Sequence, residues 1–182
     1  WTGQPVVAGR RLENQTKAEQ AAELVKRFVV PFSLGVSDVF WSPGIVDSAY
    51  DGDATSYFSH IGLITSDGQR KLSYTTMQRL IARLSGAQSI EAVPSGVAGL
   101  SIYRVDYAGK PPEFIMWKEA GQMTLDLRDI DAIPYGTYGV IHLALALPPN
   151  RWDTILLGTY PVIVQACPPR AWLPHIIATR EG

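Results

Sequence analysis

The spacing of apolar positions changes once along this chain, near Gly86, and the change divides it into two kinds of structure. From Ala21 onward Leu24, Val25, Phe28, Val29 and Phe32 recur at steps of three and four, the stripe of a helix packed on one side. That helix begins at Thr16, because Thr16-Lys17-Ala18-Glu19 is a capping box whose hydroxyl and carboxylate satisfy two otherwise free N–H groups. Pro31 kinks or shortens its last turn, having no N–H to contribute, and Gly35 caps it. A second stripe, Met77, Leu80, Ile81 and Leu84, predicts a helix from about Ser73 that closes at Gly86. Between the helices, Val36 to Ser42 is short and stopped by Pro43-Gly44, which reads as a strand. Ile61 to Ile64 is a brief extended piece and Ser66-Asp67-Gly68 a turn. Residues 1–14 have two glycines, one proline and no period, and read as an irregular loop.

Beyond Gly86 short alternating runs replace the helical period: Leu100 to Tyr107, Phe114 to Lys118, Met123 to Leu127, Val140 to Leu147, Thr154 to Leu157 and Pro161 to Ala166. Turn-forming residues separate them at the interval expected of a β-sandwich. Met123, Leu125 and Leu127 fall on one face of their run, as do Ile141, Leu143, Leu145 and Leu147 of theirs. The expected fold class is therefore α/β followed by all-β, with one domain over residues 1–87, an antiparallel sandwich over 88–182, and no long helix between Ser101 and Ala166. The stripes of the two helices lack enough strands in this chain to cover them, and are expected to stay uncovered.

Composition narrows the function. The chain has 182 residues, a net charge of −1 and scattered basic residues, which is no electrostatic footprint for nucleic acid. No apolar run approaches the ~20 residues that cross a bilayer. One cysteine, Cys167, excludes an internal disulfide framework and a cysteine zinc site. The G-x-S-x-G elbow, the phosphate loop, the dinucleotide fingerprint and H-E-x-x-H are all absent. Asp51-Gly52-Asp53 lacks the spacing and closing Glu of an EF-hand, so neither a cofactor nor a metal is expected.

The chemistry-bearing stretch is the polar, aromatic loop that follows the predicted strand, with Asp47, Tyr50, Asp51, Asp53, Tyr57 and His60. Loops at the carboxyl ends of strands are where α/β folds place ligands. Tyr50 and His60 combine a flat face with a polar tip and are the candidate ligand contacts. Glu13, Glu19 and Glu23 lie in or before the first helix and read as caps and solvated surface. Trp117 and Trp152 read as packing residues.

The succession TKAEQAAELVKRFVVPFSLGVSDVFW, GLITSDGQRKLSYTTMQRLIARLSG and a β-rich region ending in TILLGTYPVIVQ resembles the C-terminal part of a clan-A glycoside hydrolase. The resemblance implies a (β/α)8 barrel with a trailing β-sandwich. It puts Lys17 to Phe32 in the seventh barrel helix, Val36 to Ser42 in the eighth strand and Ser73 to Leu84 in the eighth helix. A whole barrel needs about 250 residues, so the chain is expected to be a fragment whose partner is the missing N-terminal barrel portion of its own parent. The family's catalytic carboxylates would then lie upstream of Trp1, leaving no catalytic residue here. Trp41 corresponds to the family's aromatic at the end of the eighth strand, which floors the sugar subsite. An indole suits that task, since its face matches the C–H face of a pyranose and leaves the polar rim free. The expected partner is thus a carbohydrate substrate. The alternative is a non-catalytic carbohydrate-binding or structural β-sandwich module.

Overall fold

A computed structural model describes residues 6–7, 10–11, 16–41, 44–48, 60–133, 138–143, 150–151 and 154–166. Two-residue strands β1 (Val6–Val7) and β2 (Arg10–Arg11) pair antiparallel, Val6 with Arg11 and Val7 with Arg10. This corrects the irregular-loop reading of residues 1–14, whose lack of period could not reveal a pairing only two residues long. Helix α1 (Lys17–Ser33) opens with the expected capping box: Glu19 N–H donates to Thr16 Oγ1 at 3.1 Å and Thr16 N–H to Glu19 Oε2 at 2.6 Å. The Thr16 backbone N–H, and after it the Thr16 hydroxyl, hold the Glu19 carboxyl below its ordinary range. Pro31 stays inside the last turn. Helix α2 spans Leu72–Leu84, and after both helices a glycine takes positive φ, 82° at Gly35 and 84° at Gly86, where a side chain would be strained.

The strands that follow are β3 (Ala87–Ala92), β4 (Leu100–Tyr107), β5 (Lys110–Lys118), β6 (Met123–Asp126), β7 (Tyr138–His142), β8 (Asn150–Arg151), β9 (Thr154–Leu157) and β10 (Val162–Ala166). Six of them form one antiparallel sheet in the order β3-β4-β5-β10-β7-β8, and β6 pairs with β9 in a second, two-stranded sheet. The protein is thus a mixed α/β fold of two helices and antiparallel sheets. Among the described residues between Ser101 and Ala166 the helical structure is the three-residue 3-10 turn Leu127–Asp129.

Period-two alternation assigns each strand's side chains to opposite faces, and here both faces are buried. Ile102, Phe114, Met116, Val140, Val162 and Val164 face the small sheet, where they pack with Leu125, Leu127, Ile155 and Leu157. The alternate positions Val105, Ile115, Trp117, Ile163 and Leu143 face the helices and pack with Leu24, Val25, Val29 and Leu80. This corrects the expectation of uncovered helical stripes. Their cover comes from strands of the second half, which a strand count confined to the first half could not include.

Polar anchors fix α2 across the sheet. Thr76 Oγ1 donates to Leu143 O at 3.0 Å. Arg83 Nη1 donates to Glu113 Oε1 and Gln165 Oε1, each at 2.8 Å, and the single Tyr107 O–H lies within donating distance of both Arg83 O, at 2.8 Å, and Glu113 Oε2, at 3.1 Å. Glu113 is buried and fully engaged, as a charge in an apolar sheet must be. Strand β3 was not predicted: its sequence AQSIEA has no clean alternation, and its exposure follows suit.

The stretch 36–41 corrects a third expectation, the strand at Val36 to Ser42. It carries no strand pairing, and Phe40 within it is 84% exposed. A strand needs a neighbour for its N–H and C=O groups, and no described strand lies beside this one.

Two outcomes are expected. Ile163→Ala, at a fully buried position under the helices, should cost about 2–5 kcal/mol in urea denaturation, with helical and strand signals lost in one transition. Burial, then the Glu113 carboxylate, raises the Tyr107 phenol well above its ordinary value of about 10.0. Its stabilising share is therefore fully present below that unfolded value and is lost as pH rises through the folded one. Alkaline denaturation followed by circular dichroism should show a shallower high-pH limb in Tyr107→Phe.

Candidate functional site

The connection between α1 and α2 carries the predicted site, and its described parts are held by a buried polar cluster. Lys71, the N-cap residue of α2, is 6% exposed and Asp47 is 7% exposed. Lys71 Nζ lies 2.7 Å from Asp47 Oδ1 and 2.6 Å from Oδ2, and it also donates to His60 O at 2.9 Å. Asp47 Oδ1 accepts from Gly62 N–H at 2.8 Å, while Asp47 N–H donates to Ile64 O at 2.8 Å. From α1, Gln20 Nε2 reaches His60 O at 3.1 Å and Gly62 O at 3.5 Å, and its Oε1 accepts from Ser73 Oγ at 3.1 Å. Isolated parallel and antiparallel bridges join Ile64 to Val46 and Arg70.

Such a pair is costly to break singly, about 3–5 kcal/mol, because one partner's loss strands the other's charge away from water. Gly62 makes the close approach possible. A Cβ there would stand 2.5 Å from Asp47 N and 2.8 Å from Ile45 O, both backbone atoms that cannot turn aside.

Trp41 lies at the end of the unpaired stretch, half-buried against the helix-facing core, and its indole Nε1–H donates to Ile61 O at 3.3 Å. His60 lies in the same neighbourhood, and its carbonyl oxygen joins the cluster. Tyr50, Asp51, Asp53 and Tyr57 lie outside the described residues. Asp47, considered from sequence as a ligand contact, has both oxygens engaged by Lys71 and Gly62 instead. The glutamates also have structural partners: Glu19 the helix cap, Glu23 the Lys26 ammonium at 3.0 Å, Glu119 the Trp117 indole N–H at 2.8 Å. Among the described residues no cluster of three or more His, Cys, Asp or Glu side chains could hold a metal. An open groove of about 260 Å³ beside the end of α1, lined by Phe32, Leu84, Ala87, Gln88, Ser89 and Ile90, has no ionisable lining residue.

Sequence reasoning passed over Lys71, Gln20 and Ser73. A signal existed: Gln20 precedes Leu24 by four and Ser73 precedes Leu80 by seven, so both stand on apolar stripes where a polar side chain requires a buried partner.

No family model matches the sequence, and no curated protein matches it. A solved structure does: a family 39 glycoside hydrolase from the gut symbiont Bacteroides cellulosilyticus WH2, with a TM-score of 0.65 and 19% identity over 85% of this chain. The chain has the fold of part of a glycoside hydrolase. It spans 31% of that protein's length, so the likeness reaches a minor portion of that enzyme.

Gly62→Ala should lower stability by about 1–3 kcal/mol, the usual cost of forcing a group into a filled space. Thermal melting followed by circular dichroism measures it, and Gly68→Ala, where no atom lies within 4 Å of the added Cβ, separates crowding from the backbone strain of a positive φ.

Proposed function

We propose that this chain is the C-terminal part of a clan-A glycoside hydrolase that cleaves O-glycosidic bonds with two carboxylates by a retaining mechanism. In that reading residues 1–87 close a (β/α)8 barrel and residues 88–182 form the trailing sandwich. The catalytic carboxylates belong to the portion upstream. The chain supplies Trp41 as the floor of a sugar subsite, with Tyr50 and His60 as further substrate contacts.

The observation that carries the reading is the fold match to a family 39 glycoside hydrolase over 85% of this chain and only 31% of that one. A second observation supports it. Leu34, Val36, Phe40, Ile45 and Val46 are exposed within one short stretch, more clustered apolar surface than scattered exposure accounts for. That is the stretch in which the eighth barrel strand and its exit are proposed, so the rest of a barrel would cover it.

The chemistry follows from the division of labour. One carboxylic acid protonates the leaving oxygen while the second, about 5 Å from the first across the bond, attacks the anomeric carbon, and water then hydrolyses the glycosyl ester. An aromatic floor holds the ring between them through its C–H face and adds no proton or nucleophile. A free-standing carbohydrate-binding module would instead call for an exposed coplanar aromatic pair on the sheet. The stacked pair Tyr103–Trp117, 5.0 Å between centroids and 18° between planes, has Trp117 only 1% exposed with Lys26 of α1 over its ring.

In the full-length parent, Trp41→Ala should lower kcat/KM on an aryl glycoside by roughly tenfold or more, the loss of a stacking contact of about 1.4 kcal/mol, with the fold intact by circular dichroism although the ring's packing on the helix-facing core is lost. Unaltered kinetics would remove Trp41 from the site. The 182-residue chain alone should hydrolyse no aryl glycoside, and hydrolysis by it would overturn the upstream placement of the carboxylates.

A further inference from the structure

Gln20, Trp41, Asp47 and Lys71 come from four places along the chain, yet all four side chains bond the backbone of one tripeptide, His60-Ile61-Gly62. His60 O accepts from Lys71 Nζ and Gln20 Nε2, Ile61 O accepts from Trp41 Nε1, and Gly62 N–H donates to Asp47 Oδ1. We propose that Lys71, Asp47 and Gln20 are positioning residues for the Trp41 indole, acting through this tripeptide. The meaning of that role for sugar binding rests on the reading of Trp41 given above; the geometry does not.

Two constraints orient the indole. Packing against the helix-facing core fixes where the ring sits, and the bond to Ile61 O fixes its rotation within that space. The acceptor is itself held from both sides, since the residue before it is bonded by Lys71 and Gln20 and the residue after it by Asp47. Those holders are not free to drift. Gln20 belongs to α1 and is held by Ser73 of α2, Lys71 directly precedes the first turn of α2, and both helices are packed on the sheet. Orientation is thus transmitted from the sheet through the helix starts to a single carbonyl oxygen. The charges serve the same end: Asp47 and Lys71 neutralise each other where neither has water, so each keeps one bonding geometry instead of exchanging among solvent partners.

A stabilising pair and a positioning pair differ in one measurable way. Replacing both buried charges with apolar groups, Asp47→Leu with Lys71→Met, removes the stranded charge that makes either single change destabilising. The double variant should recover most of the melting temperature lost by Lys71→Met alone. Its Trp41 indole N–H resonance, in a 15N-labelled chain with five tryptophans and assigned by Trp41→Phe, should nonetheless stay displaced from the wild-type position. The Trp117 indole resonance, in the core and bonded to Glu119, should stay in place and report an intact fold. A wild-type Trp41 resonance in the stable double variant would overturn the proposal. Should the charge variants not fold, Gln20→Met removes two bonds to the tripeptide without touching a charge; it must displace the Trp41 resonance, and no displacement overturns the proposal equally. In the full-length parent the double variant should lose kcat/KM roughly as Trp41→Ala does, by about tenfold. A displaced Trp41 resonance in a parent that hydrolyses no glycoside would refute the glycosidase reading and leave the positioning role standing.

Discussion

Burial of the central strands on both faces is the constraint on which the rest of this structure depends. In β5 the run Glu113-Phe114-Ile115-Met116-Trp117 is buried without interruption, which only a strand covered on two sides can sustain. Phe114 and Met116 require the small β6-β9 sheet, and Ile115 and Trp117 require the helices. Removing either cover would return several large apolar side chains to water, each at about 1.5–3 kcal/mol. The helices are thus bound to the sheet as firmly as the strands are to each other, although the chain places them far upstream of β10. Glu113, the one charge in that run, reinforces the arrangement, because satisfying it draws Arg83 at the end of α2 onto the face of the central strands.

Fixing the helices fixes what hangs between them. The starts of α1 and α2 bring Gln20, Lys71 and Ser73 into one buried cluster, and that cluster grips a tripeptide of the connecting loop. A loop is ordinarily the least constrained part of a fold. Here its ends are tied by a charge-assisted pair and by backbone bonds at 2.7–2.9 Å, such as Leu63 N–H and Ile64 N–H to Ile45 O. Rigidity at a loop is what a recognition surface needs, since an aromatic held in one pose loses little freedom when a ring stacks on it.

The helices and most of the large strands were legible in the sequence because their causes are local. Thr16 and Glu19 are three residues apart, the stripe from Ala21 to Phe32 is one continuous period, and the run Thr154 to Leu157 alternates cleanly. The sheet order was not legible, because β10 pairs with β5 some fifty residues earlier and with β7, and alternation shows a face without saying what lies against it. The strand expected at Val36 to Ser42 failed for a related reason: its composition suits a strand, but pairing depends on a neighbour that no property of the stretch supplies. Trp41 was legible as a residue of interest, through a family pattern more than through its own surroundings. The partnership of Asp47 with Lys71 was hidden, since each looks like an ordinary solvated charge and their separation of 24 positions follows no period.

The exposed apolar stretch and the clasp make one argument together. Leu34 and Val36 follow directly on the capped end of α1, and Ile45 and Val46 precede Asp47, whose side chain is locked to Lys71. These side chains are therefore carried by backbone that is anchored at both ends. Exposed apolar groups on a loose segment can turn inward and find cover of their own. Groups on an anchored segment cannot, and they present a standing apolar edge to whatever lies beside them. The backbone of residues 37–41, without ladder partners among the described residues, runs along the same edge, where a neighbouring strand would pair with it. In the proposed reading the preceding barrel strand meets both demands at once. It would also leave Trp41 at the junction, with its ring on the core and its N–H on Ile61 O, where a face of the indole is fixed before any sugar arrives.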